Sequence, residues 1–451
     1  MRRAVFVLLM ISLFAICISA EAADVEKNPD NGHAEYTLED LYRIALSRSE
    51  RIKISEEDLF IAERYKDKSM SFLLPRLSAF GEHMRFSEEK TSSVSAGSFT
   101  IQPKSSSSWG LRLNQSISLG GREITSFRIS KKMIESSRYD LYAVREDYVL
   151  KVSESYYDVL KAKKGVDIAR ANVERLLKYR DEANTRLRVG EVSKTAVLRA
   201  EGELSGARSE LTRSENLLKL AKVVLARVAG ISGSYEIKET EYGGQNSPDI
   251  GKLDPLDFIK ETAFTERAEI RSVGIQKDIA EDSVSVAKGS YWPSLSLEGV
   301  YMARDENSSS SFLNDESMYG LLRVDLPLFE GGLRRAEVRT AEAKKRQAEF
   351  SLDDLKKNIS IEVEGAYLEL KTQAGILDSL EDQLRFARDN YDAVTKQFAF
   401  GLASSIDVID ANTLLVDSER QLSRAQYNYQ LAALRLKRAK GTLLKEVNGK
   451  P

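Results

Sequence analysis

The chain is 451 residues long, 42% apolar and 30% charged, with 67 basic and 69 acidic side chains and a net charge of −2. That near-neutral balance gives no reason to expect nucleic acid as a partner. Its one cysteine, Cys17, lies in the first 22 residues, so a chain that sheds them has neither disulfides nor thiol chemistry.

Residues 1–22 read as a secretory signal peptide. Arg2 and Arg3 form the positive start, residues 4–18 are apolar, and Ala20-Glu21-Ala22 has the small-x-small pattern of a cleavage site. A membrane anchor is the alternative, but the run is shorter than the ~20 residues a spanning helix needs. Bulky Ile16 precedes Cys17, where a lipid-attachment signal wants a small residue. Arg2, Arg3 and Glu21 leave with the leader, so 65 basic and 68 acidic side chains remain, a net charge of −3. No later segment is apolar enough for a transmembrane helix, which leaves β-strands as the only route into a membrane.

Residues 23–37 read as a loose tail. From Leu38 the chain states a pattern that it repeats. Shifted by 218 positions, Leu38, Ala45, Ile52, Pro75 and Leu77 land on Leu256, Ala263, Ile270, Pro293 and Leu295. Shifted by 211, Arg112, Gly120, Gly121, Tyr156, Gly190 and Ser193 land on Arg323, Gly331, Gly332, Tyr367, Gly401 and Ser404. The difference falls between Met84 and Arg112, in a loop. One structural unit is therefore used twice, over 38–230 and 256–441, with a linker at 231–255 and a loose tail at 442–451.

Each unit reads as helix, proline, strand, loop, strand, Gly-Gly, long helix, hairpin, helix. The strands are expected at about 75–86 and 107–119, and again at about 293–303 and 317–329, where the apolar period becomes two. In Leu111-Arg112-Leu113-Asn114 and in Leu322-Arg323-Val324-Asp325 apolar and polar residues alternate in the same phase. The loops between strands are rich in serine (105–108 and 308–311). No proline lies in 121–230 or 332–441, so both stretches are free to be long helices. Ile134, Leu141 and Tyr148 recur every seven residues, the period of helices packed side by side. A glycine and, three residues later, a serine interrupt each stretch, at Gly190 and Ser193 and at Gly401 and Ser404, as a helix hairpin requires. At 1.5 Å per residue, 121–190 spans roughly 100 Å, and the two flanking helices (38–74 and 191–229) laid end to end span roughly 110 Å. The unit is then a rod with a β-hairpin at one end and a helical turn at the other.

Two hairpins give four amphipathic strands, too few to close a barrel, since the smallest membrane barrels have about eight. Open edges in lipid leave unpaired backbone groups at a cost of several kcal/mol each. Such chains must associate: two copies give eight strands, three give twelve. A soluble sheet with one wet face is the plainer alternative.

The order of these marks resembles the TolC-type outer-membrane efflux channels of Gram-negative bacteria, over essentially the whole mature chain. The marks are Tyr36-Thr37-Leu38-Glu39-Asp40-Leu41 running into Ala45-Leu46, the proline before each first strand and the Gly-Gly turns after Leu119 and Glu330. Gly401-x-x-Ser404 followed by Asp407-Val408-Ile409-Asp410-Ala411, and the closing Leu225-x-x-x-x-Gly230 and Leu436-x-x-x-x-Gly441, complete the set. The resemblance implies a fold that is mainly α with a transmembrane β part. It implies a homotrimer, with a 12-stranded β-barrel in outer-membrane lipid continued by a long periplasmic α-helical barrel. It further implies a passive exit duct for small molecules or unfolded polypeptide, fed by an inner-membrane transporter and a periplasmic adaptor protein that docks at the hairpin tips, Gly190 and Glu191, Gly401 and Leu402.

In that family an aspartate pair at the second tip rings the periplasmic entrance, and the matching residues here are Asp407 and Asp410. Six carboxylates around one axis would favour cations and bind multivalent ones. Against this, Ser404-x-x-Asp407 has the spacing of a capping box, which serves only the helix. The first tip departs from the pattern, with Ala196 and Arg199 at the matching positions. The family's tyrosine–arginine–aspartate lock is also missing, since Phe398, Ala403 and Ala196 stand there. Closure by packing is expected instead, with Phe398 near the constriction; a buried knob between helices is the alternative. By strand phase, Arg112, Asn114, Arg323 and Asp325 face the barrel lumen. Trp109, Tyr301 and Tyr319 are candidates for an interfacial girdle. No cofactor is expected. His33 and His83 are the only histidines, no metal-ligand spacing occurs, and the glycine pairs are turns, so nothing supports an enzyme. An exported coiled-coil envelope scaffold without a pore is the competing reading.

Overall fold

A computed structural model describes residues 34–94, 97–239, 253–307 and 315–447. The expected signal peptide, the serines at 308–311 and the glycine-rich part of the linker at 243–251 lie outside them.

The element order is β1 (Ala34–Tyr36), α1 (Leu38–Arg48), α2 (Glu50–Ser71), β2 (Arg76–Arg85), β3 (Lys90–Val94), β4 (Gly97–Gln102), β5 (Ser105–Ser118), α3 (Arg122–Arg188) and α4 (Lys194–Ala229). It continues with β6 (Tyr235–Ile237), α5 (Leu256–Glu266), α6 (Ala268–Gly289), β7 (Ser294–Asn307), β8 (Glu316–Asp325), α7 (Leu333–Ala399), α8 (Ser405–Lys440) and α9 (Leu443–Val447). The chain is mainly helical. The two long helices α3 and α7 have 67 residues each, and the helices that follow them, α4 and α8, have 36 each.

Local chemistry sets the helix starts. Thr37 and Asp40 form a reciprocal capping box at α1: each side chain accepts the other's backbone N–H at 3.2 Å. The Gly120-Gly121 turn between β5 and α3 is built for close approach, because a Cβ on Gly120 would lie 2.3 Å from the Gly289 carbonyl oxygen. That contact presses the turn against the end of α6.

The helices form a layer in which α3 is flanked on one side by α2 and α4 and on the other by α6 and α8, with α7 beyond α6 and α8. Tyr156, Leu160, Leu41 and Leu225 are fully buried in the core of the first half, and Ile359, Val363 and Leu370 in that of the second.

Three sequence expectations change. The helix over 38–74 breaks at Ser49, whose backbone turns extended (ψ 124°), and the matching break falls at Arg267 (ψ 121°). Arg267 uses its break to reach the end of α8, donating to the Ala439 carbonyl at 3.2 Å and to Glu362 at 2.9 Å. The loose tails contain ordered pieces: β1 pairs in parallel with β6, Ala34 opposite Tyr235, and α9 buries Leu443 and Leu444. The loop between the first two strands carries its own two-stranded ribbon, β3–β4.

Candidate functional site: the sheet and the hairpin tips

The strands β2-β5-β7-β8 form one antiparallel sheet in that order, so the two halves of the chain meet at β5–β7. Register fixes the faces. Arg112 lies opposite Ser78 on one side and Val300 on the other, and Leu111 lies opposite Ala79 and Tyr301. The Leu111 face carries Leu77, Leu113, Leu295, Leu297, Leu322 and Val324. The Arg112 face carries Arg76, Asn114, Glu298, Arg323 and Asp325. All four residues expected in the lumen therefore share one face. Arg112 is anchored there: its Nε lies 3.6 Å from Glu298 Oε1, and its guanidinium sits 5.1 Å from the centre of the Phe80 ring. Glu298 and Phe80 were not singled out from sequence, because their strands alternate less cleanly.

The girdle expectation needs one correction. Trp109 and Tyr301 lie on the apolar face with ring centres 6.2 Å apart. Tyr319 lies opposite Val300 and so falls on the polar face. A one-residue phase error turns any strand residue over.

Among the described residues, β2 pairs only with β5 and β8 only with β7, so the sheet has two open outer edges. The helical layer ends likewise. Leu217, Leu220 and Val223 of α4 and Phe350, Ile361 and Leu368 of α7 are large apolar residues left exposed.

At the opposite end lie the two tips. Gly190 and Gly401 have φ of 83° and 73°, a left-handed backbone that admits glycine without strain. Beside them Glu191 is exposed, as is Leu402. Asp407 caps α8: its Oδ2 accepts the Ser404 N–H at 2.7 Å, and its own N–H donates to Ser404 Oγ at 3.3 Å. These bonds to Ser404 hold the Asp407 carboxyl below its ordinary value. Asp410 follows one turn on, and both carboxylates are exposed.

Phe398 does not face open space. It is 2% exposed, packed among Leu176, Tyr179, Ala200, Leu204 and Val408, with its ring centre 5.4 Å from that of Tyr179. It is the knob between helices, because α7 and α8 press it onto α3 and α4. Arg186, in the last turn of α3, lies over its ring at 4.8 Å and donates to the Phe398 and Ala399 carbonyls at 2.6 and 2.5 Å. Tyr179 adds a hydroxyl bond to Ser405. Arg186 and Tyr179 carry no local sequence signal, because their partners lie 212 and 226 positions away.

A polar-faced, apolar-backed sheet with open edges, set on a helical layer about 100 Å long, is a segment of a channel wall. The chain belongs to the outer membrane efflux protein family, whose model matches residues 41–231 and 261–442. It is 26% identical over 318 residues to outer membrane protein TolC of Vibrio cholerae, covering 67% of this chain and 69% of that one. It is 23% identical to the alkaline protease secretion protein AprF of Pseudomonas aeruginosa, covering 90% and 84%. The crystal structure of CusC, a transmembrane channel 17% identical, superposes with a TM-score of 0.79 over 93% of this chain and 95% of that one, a likeness of fold.

Proposed function

We propose that three copies of this chain close into an outer-membrane exit duct, a 12-stranded β-barrel continued by a periplasmic α-helical barrel. The observation that carries it is the four-stranded sheet with one apolar face, one charged face and, among the described residues, no partner for either outer edge. In lipid each unpaired edge group costs several kcal/mol, which neighbours remove by continuing the ladder. The sheet alternates direction, so β8 of one copy runs antiparallel to β2 of the next. The exposed apolar edges of α4 and α7 support the same association.

In this assembly the apolar face meets lipid, and Arg112, Asn114, Arg323 and Asp325 line the water-filled side. The tips at Gly190, Glu191, Gly401 and Leu402 receive a periplasmic adaptor, through which an inner-membrane transporter delivers small molecules or unfolded polypeptide. The duct supplies no energy. Asp407 and Asp410 ring the periplasmic mouth, where six carboxylates hold multivalent cations. The capping role of Asp407 is compatible with this, since its second oxygen remains free to face the axis.

Conductance across a planar lipid bilayer tests the reading. The reconstituted protein should conduct ions and be blocked by a trivalent cation from the side bearing the tips. Asp407→Ala with Asp410→Ala should abolish the block and keep the conductance. Conductance with an unchanged block in the double variant would remove the aspartates from the mouth. No conductance at all would favour an envelope scaffold without a pore.

A further inference from the structure

The Arg112 face of the sheet is not polar throughout. Register sorts its residues into rows that run across the four strands. Ser78, Arg112, Val300 and Tyr319 form one row, and Phe80, Gly110, Met302 and Ser317 form the next one towards the loops. Arg112 is the only charge in this belt. Phe80 covers Gly110, where a Cβ would lie 2.9 Å from its Cζ, and the Arg112 guanidinium is 5.1 Å from its ring centre. Val300 is buried, whereas Tyr319 is 47% exposed. Towards the helices the face turns basic. The next row holds Arg76, Asn114, Glu298 and Leu321, and beyond it come Arg323 and then Asp325. Three arginines thus stand against two carboxylates, and among the described residues only Arg112 of the three has an ion-pair partner. Towards the loops the balance reverses, with Glu82 and Glu306 against Arg304.

We propose that the belt and the arginines below it form a binding station inside the barrel for small amphipathic organic anions, an aromatic ring bearing a sulfonate or carboxylate. This rests on the exit-duct reading, in which the Arg112 face lines the water-filled side. The ring lies on Phe80, Met302 and Tyr319, and the anionic group turns towards Arg112, Arg76 and Arg323. Successive rows on one face are about 7 Å apart along a strand, so ring and anionic group reach neighbouring rows together. Charge complementarity selects an anion over a cation. Arg112 already holds the cation position beside the Phe80 ring, and a guanidinium offers paired donors to an oxyanion. Arg76 lies on β2 and Arg323 on β8, the two outer strands. In the closed duct they flank each seam together with Asp325, so two copies share a net positive charge there and the site is incomplete in one copy. The duct then offers multivalent cations a site at the tips and organic anions one in the barrel.

Block of single-channel current through the reconstituted full protein tests the station. Three probes are added in turn on the side opposite the tips: 2-naphthalenesulfonate, methanesulfonate and 2-naphthyltrimethylammonium. The wild-type channel should be blocked by the aromatic sulfonate at a concentration at least about tenfold below that needed for either of the others. Arg76→Gln with Arg323→Gln should weaken that block about tenfold. Equal block by the two sulfonates overturns the belt, and stronger block by the aromatic cation overturns the basic site. An unchanged block in the double variant, or no block by any probe, also overturns the station. Each of these leaves the duct intact, because the channel still conducts. No conductance overturns the duct reading, and the station with it.

Discussion

Phe398 and Glu146 show how far the role of a residue depends on what surrounds it. A phenylalanine at a channel tip invites a gate, yet here the ring is buried beneath the Arg186 guanidinium. Because the only cysteine lies at position 17, in the expected leader, accessibility can be read directly. Phe398→Cys should resist a membrane-impermeant maleimide in the native protein, whereas Leu402→Cys should react within minutes. Equal labelling of the two would return Phe398 to the open mouth. Glu146 is 0% exposed, with Oε2 3.7 Å from Arg438 Nη1. Around it stand Tyr142 and Asp147 of α3, Glu269 of α6, Arg267 and Arg438. Burial raises the Glu146 carboxyl above the ordinary value of 4.5, against the pull of Arg438. Between 4.5 and that raised value the folded chain keeps a proton that the unfolded chain has released. This group therefore contributes most stability below 4.5 and loses it as pH rises through the folded pKa. Melting of wild type and Glu146→Gln across mildly acidic pH should show a flatter slope in the variant. Matching slopes would mean that Glu146 carries no such proton.

At the scale of elements, the two hairpin tips are joined within one protomer by Arg186 rather than by an aspartate-centred lock. Its two bonds to the last carbonyls of α7 also meet the negative end of that helix. Arg186→Ala should weaken the last turn of α7 by about 2 kcal/mol, which speeds amide exchange there roughly thirtyfold. Arg186→Lys should recover only part, since one ammonium cannot serve two carbonyls and a ring face together. Unchanged exchange in the alanine variant would show that packing of Phe398 alone holds the tips.

Elements of this kind differ in how plainly the sequence announces them. The long helices were legible from their lack of proline and their heptads, and the tips from the Gly–Ser interruptions at 190–193 and 401–404. Polar and apolar strand faces were legible where alternation was strict, around Arg112 and Arg323, and misread at Tyr319, where it was not. The breaks at Ser49 and Arg267 were hidden, because neither residue is a helix breaker; contact with the ends of α4 and α8 dictates them. Arg48 donates to the Gly230 carbonyl at 3.2 Å just as Arg267 reaches that of Ala439. Pairs joined across hundreds of residues, such as Arg186 with Phe398 or Arg438 with Glu146, leave no local trace in composition or period.

At the scale of the whole molecule, sheet and helical layer end in the same way, with an edge on each side that has no partner among the described residues. In the proposed trimer the four strands would supply a third of a closed wall, and α4 and α7 expose leucine, valine and phenylalanine along the flanks. An account in which the chain works alone leaves both kinds of edge unexplained. The most direct test is the native mass of the mature protein extracted from outer membrane in mild detergent. Three copies per particle is the predicted result. A particle holding a single copy, with both sheet edges open, would contradict the account.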